Sequence, residues 1–133
     1  MSTVPHIRVV AAVIAHEDRY LITQRRPQAA LPHLWEFPGG RVEEGEDDAS
    51  ALEREVRHRI DVQVETGQLI SFVSHAYESY VVDLHLYECK IVEGKPRARA
   101  VEDFAWVRSD EFDRYAFTPA DESSMAKLLG LDV

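Results

Sequence analysis

Apolar positions change their spacing several times along this chain, and each change marks an element. Ile7–Ala15 is a near-continuous β-prone run, the pattern of a strand buried on both faces. His16–Arg19 reads as a turn, and Tyr20–Gln24 as the second strand of a hairpin. Pro27 to Pro32 is a loop. Trp35, Glu36 and Phe37 form a short strand stopped by Pro38, Gly39 and Gly40. Beyond Gly45 the period becomes helical, and Ala49, Leu52, Val56 and Ile60 share one face. Asp47 or Asp48 caps that helix, and both suit the positive end of its dipole. Val62–Val73 and Tyr80–Val92 read as two longer strands, followed by the turn Glu93-Gly94-Lys95-Pro96. Phe104–Val107 is a short strand, Ser109 caps a brief helix through Phe112, and Ala120–Leu129 is a C-terminal helix. The order β-β-β-α-β-β-β-α-α predicts an α/β domain, with a mixed sheet and helices against its faces.

Composition narrows the function classes. The 133 residues fit one domain, 1–133, and a hydrophobic content of 45% suffices for one packed core. The net charge of −9 argues against nucleic-acid polymers and anionic membranes as partners. A small phosphate ligand stays open, because a local basic pocket or a bound cation overrides the global field. The single cysteine, Cys89, rules out an internal disulfide and sits in an apolar run as a core or near-core residue. No stretch approaches the ~18 apolar residues that span a bilayer. The N-terminus has no secretory pattern, so a reducing cytoplasmic compartment is expected. The oligomeric state is not encoded in any recognisable way.

The chemistry concentrates in GGRVEEGEDDASALEREVRHRIDV, residues 39–62. Gly40, Glu46, Arg54, Glu55, Val56 and Val62 fall in register with G-x5-E-x7-R-E-U-x-E-E-x-G-U, where U is a bulky aliphatic. This segment resembles the Nudix box. The flanking LWEFPGG, Trp106-Val107 and Phe117–Asp121 are similar to MutT-like members, so the resemblance covers nearly the whole chain. It implies a Nudix-type α/β/α sandwich. It also implies metal-dependent hydrolysis of nucleoside triphosphates, oxidised purine forms included, to monophosphate and pyrophosphate. Mg2+ is the implied cofactor and a small-molecule nucleotide the implied partner. Glu55, Glu46 and Arg54 are the catalytic positions, with Glu46 and Arg54 pairing to fix the loop onto the helix. Glu55, the Gly39 backbone and Glu43 are the candidate metal ligands. Arg25, Phe37, Arg59 and Asp121 are the candidate substrate contacts.

The chain departs from the family pattern where the metal is held. The E-E pair is His58-Arg59, the glycine is Asp61, and a further acid of MutT-like members, six residues before Trp106, is Ala100. Magnesium needs several hard oxygen ligands to give up its water, so a weak or altered site is expected. Arg59 then has two readings: an i,i+4 ion pair with Glu55, or a guanidinium that takes a cation's place on a phosphate. His58 is a solvated helix residue, or with Glu55 a weak site for Mn2+ or Zn2+. Glu43 and Glu44, or Glu102 and Asp103, are substitute oxygens or solvated loop charges. Arg25 is a phosphate contact or an edge-strand charge. Phe37 and Trp35 stack on a base or belong to the core. Asp121 reads a base or caps the last helix. His6, His16, His33, His75 and His85 show no metal-ligand spacing. Three functions remain: a weakened or metal-switched hydrolase, a nucleotide-binding protein without turnover, and an interaction domain.

Overall fold

The computed structural model describes residues 4–128. In chain order the elements are β1 (His6–His16), β2 (Arg19–Gln24), β3 (Trp35–Glu36), β4 (Gly39–Arg41), α1 (Asp48–Ile60), β5 (Gln63–Ala76), β6 (Val81–Glu93) and β7 (Asp103–Arg108). A 3-10 helix, Ser109–Arg114, and α2, Pro119–Leu128, follow. The sheet runs β3-β2-β1-β6-β5, with β4 paired to β1 and β7 to β2. β1 and β6 are parallel from His6↔Val81 to Ile14↔Cys89, whereas the other strand pairs are antiparallel. The expected mixed sheet is therefore present.

The continuous apolar run of β1 has a simple cause. Strand side chains alternate between faces. Val10, Ala12 and Ile14 enter one core with Leu52, Val56 and Ile60 of α1. Ala11 and Val13 enter a second core with Leu84, Leu86, Phe112 and Phe117. Both faces are covered from Val10 to Ile14, and those five positions are buried, while Arg8 and Ala15 toward the ends of the run are exposed. Leu52, Val56 and Ile60 are each 0% exposed, and each such burial contributes roughly 1.5–3 kcal/mol.

Several boundaries differ from the sequence expectation. α1 is capped by Asp47, whose side chain accepts from the Ser50 amide, and Asp48 is the first helical residue. It ends at Asp61, in the left-handed region at φ 61°. Glycine is the usual residue there. Asp61 instead bridges to Arg97 at 3.2 Å and Arg99 at 3.4 Å, ion pairs that a glycine has no side chain to make. β4 corrects the expectation that Gly39 and Gly40 only terminate a strand. Their ladder with Val10 and Ala11 is long-range, which local propensity does not report. Close approach explains the glycine: a Cβ on Gly39 would lie 2.0 Å from the Val10 carbonyl oxygen. Phe37 falls outside β3 because a side chain takes its amide. Arg108, not Ser109, caps the 3-10 helix. Asp121 lies inside α2 rather than capping it, and the helix starts at Pro119, just after Thr118. Leu129, the expected end of that helix, lies outside the described residues.

Candidate functional site

The loop from Gly40 to Asp47 is tied to α1 by one ion pair. Arg54 donates from Nε to Glu46 Oε2 at 2.8 Å and from Nη2 to Oε1 at 2.9 Å. Glu46 Oε1 also accepts the Glu43 amide at 2.8 Å, and Arg54 Nη2 reaches the Arg41 carbonyl at 3.0 Å. Hydrogen bonds to Arg54 hold the Glu46 carboxyl below its ordinary range. The same contacts raise the Arg54 guanidinium, which stays charged at any working pH. A charged fork on a carboxylate is stronger than a neutral pair, and it fixes direction as well as distance.

Glu55 sits at the centre. It is 8% exposed, and both its oxygens are taken by arginine. Oε1 accepts from Arg54 Nη1 at 2.6 Å, and Oε2 from Arg59 Nε at 2.9 Å. The i,i+4 pair expected from the sequence is present. Gly40 is pressed against this carboxylate, since a Cβ there would lie 2.4 Å from it.

Beside Gly39 and Gly40 opens a cleft of about 360 Å³, lined among others by Arg25, Glu36, Phe37, Arg59 and Asp121. Glu55 adjoins this cleft through Gly40 rather than lining it. Arg25 donates from Nη1 to both Glu36 oxygens, at 3.2 and 3.1 Å, and from Nε to the Ala30 carbonyl at 2.6 Å. Burial raises the Glu36 carboxyl above its ordinary range even though Arg25 and Arg59 oppose the shift. Also on the cleft wall, Asp121 Oδ1 accepts the Phe37 amide at 2.9 Å. Its Oδ2 accepts from Thr118 Oγ1 at 2.7 Å. Burial, and next the charge of Glu36, push Asp121 up to about 7. The cleft thus combines guanidiniums with a carboxyl poised between its acid and its base.

Other expected residues lie elsewhere or play a different part. The Phe37 ring is 2% exposed and packs against Phe112 and Phe117, so it belongs to the core and only its backbone serves the cleft. Trp35 packs edge-on against Tyr115. Glu43, Glu44 and His58 are exposed, as are Glu102 and Asp103. Asp103 turns its carboxylate onto the Phe104 amide. Ala100 does lie beside the end of α1, its amide donating to the Arg59 carbonyl at 3.0 Å. Among the described residues, no three His, Cys, Asp or Glu side chains are placed to hold a metal ion. Sequence reasoning missed Glu36, Tyr77 and Tyr80. Glu36 carried one signal, a charge between two aromatics in a strand facing the arginine-bearing end of β2. The tyrosines, whose rings stack at 5.2 Å, sit at a turn with no signal of their own.

A mixed sheet, an acid-bearing helix docked on a Gly-Gly strand, and a cleft beside that strand are the features of a Nudix-type domain. The chain matches the NUDIX domain family model over residues 9–127, and it belongs to the Nudix family as a MutT-like member. It is 30% identical over 115 residues to a CTP pyrophosphohydrolase of Escherichia coli, covering 86% of this chain and 85% of that one. It is 31% identical over 121 residues to a putative 8-oxo-dGTP diphosphatase 2 of Mycobacterium tuberculosis, covering 90% and 86%. The solution structure of the E. coli ORF135 protein superposes with a TM-score of 0.82 at 28% identity, covering 96% of this chain and 91% of that one. Among the described residues, no helix is long and apolar enough to cross a membrane.

Proposed function

We propose that this chain binds a nucleoside triphosphate in the cleft beside Gly39 and Gly40, and cleaves it to monophosphate and pyrophosphate slowly. The relatives' names support the nucleotide, since those proteins are a CTP pyrophosphohydrolase and a putative 8-oxo-dGTP diphosphatase. The cleft supports the orientation. Asp121 and Thr118 offer a polar, buried wall suited to a base edge. Arg25 and Arg59 suit phosphates.

One observation carries the slow turnover: the Glu55 carboxylate is closed by Arg54 and Arg59. The residues present do not fit a magnesium site. Magnesium takes several hard oxygens in near-octahedral geometry, and here the central carboxylate stands without companion acids and has a guanidinium on each of its oxygens. Glu43 is exposed, and among the described residues it joins no cluster of three His, Cys, Asp or Glu side chains. Glu46 and Arg54 act by shaping the loop, and Glu55 by holding the two guanidiniums.

The test is pyrophosphate release from CTP, dGTP and 8-oxo-dGTP with magnesium, manganese or zinc, on protein free of contaminating hydrolase. Turnover well below that of an intact family member is expected for all three ions. Magnesium-supported hydrolysis at roughly 1 per second or faster would overturn the account of a closed site.

A further inference from the structure

Three arginines of the site, Arg54, Arg25 and Arg59, differ in how many of their donors are engaged. Arg54 uses Nε, Nη1 and Nη2 on Glu46, Glu55 and the Arg41 carbonyl. Arg25 uses Nε on Ala30 and Nη1 on Glu36. Arg59 is held through Nε alone, on Glu55 Oε2. Among the described residues, its two η nitrogens donate to no protein acceptor. The side chain is 25% exposed and lines the cleft.

Such a guanidinium is anchored but not satisfied. Its stem is fixed by the ion pair, so little side-chain entropy remains to be lost on binding. Its η nitrogens present N–H donors in one plane, which matches two oxygens of a phosphate. The local charge agrees. Arg25, Arg41 and Arg59 line the cleft against the two carboxyls of Glu36 and Asp121, in a chain whose net charge is −9. With Glu55 paired to Arg59, the cleft is close to balanced in charge, and on an acidic protein it admits anions that the rest of the surface repels. The guanidiniums of Arg54 and Arg59 repel a divalent cation from Glu55.

We propose that the Arg59 guanidinium is the resident phosphate-binding cation of this cleft, so that a nucleoside triphosphate binds without a divalent metal. This deepens the nucleotide reading and rests on it. Arg59 occupies the helix position at which the family pattern has a glutamate, so one residue both blocks the metal and does its electrostatic work on the phosphates.

The test is calorimetric titration of the full chain with CTP and with dGTP, in excess EDTA and in millimolar magnesium. The nucleotide that binds should do so with dissociation constants within about threefold in the two conditions. Arg59→Gln should weaken binding in EDTA by about 10- to 100-fold, as loss of a charged bidentate contact does. If Arg59→Gln loses its fold by circular dichroism, Arg59→Lys keeps a cation beside Glu55. It should weaken binding roughly threefold to tenfold for want of the planar fork. Binding that needs magnesium overturns the inference and leaves the nucleotide reading standing. Binding in EDTA that is indifferent to Arg59 but lost in Arg25→Gln also overturns it, and assigns the phosphates to Arg25. No binding of either nucleotide in either condition overturns both.

Discussion

Asp121→Asn separates a carboxyl held as an acid from one that merely holds the chain. Asp121 is 5% exposed, and burial together with the nearby Glu36 charge raises it from 3.8 to about 7. In the unfolded chain the same group ionises near its ordinary value. Between those two values the native state keeps a proton that the unfolded state has lost. Stability contributed by this group is therefore complete at acid pH, falls as pH rises, and levels off above about 7. At about 1.4 kcal/mol per pKa unit, the fall from pH 5 to pH 8 is on the order of 2–3 kcal/mol. Asparagine has nearly the same shape and no titration. Its oxygen can accept the Phe37 amide, and its amide group can donate to Thr118 Oγ1, which rotates to accept. Urea unfolding of both proteins at pH 5 and pH 8 measures the difference. The stability of Asp121→Asn relative to the unchanged chain should rise by ~2–3 kcal/mol between the two pH values. Relief of Glu36 from a neighbouring charge acts in the same direction. A difference that is the same at both pH values, or that shrinks, would refute the argument and show Asp121 ionised throughout.

Two further predictions concern α1. His58→Glu, Arg59→Glu and Ala100→Glu together open Glu55 and restore hard oxygens around it, so the triple variant should bind magnesium more tightly than the unchanged chain and hydrolyse nucleotide faster; calorimetry and pyrophosphate release at matched folding check both, and equal magnesium binding would sink the idea. At the helix end, Asp61→Ala keeps a Cβ at φ 61° and loses the bridges to Arg97 and Arg99. It should cost ~1–2 kcal/mol by urea midpoint, whereas Asp61→Gly, which relieves the backbone as it loses the same bridges, should stay within ~0.5 kcal/mol.

What the sequence by itself determined is what repeats locally. The 3.6-residue period of Leu52, Val56 and Ile60 and a cap at Asp47 or Asp48 define α1, because helix bonds and caps are made within four residues; the structure chooses Asp47. The near-continuous apolar run of β1 implied a buried strand, and two cores cover its faces from Val10 to Ile14. The spacing of Glu46, Arg54 and Glu55 was legible for the same reason, as was the pair of Glu55 with Arg59 one helical turn on. Tertiary structure alone decided the rest. β4 is a strand only because β1 lies beside it. Phe37 points into the core while its amide binds a carboxylate 84 positions away. Glu36 meets Arg25 because β2 and β3 pair, whereas Arg59 reaches the cleft from α1 and is held there through Nε on Glu55. Each of these depends on which distant donor is nearest and on how much water is excluded, and neither quantity is written in the spacing of residues along the chain.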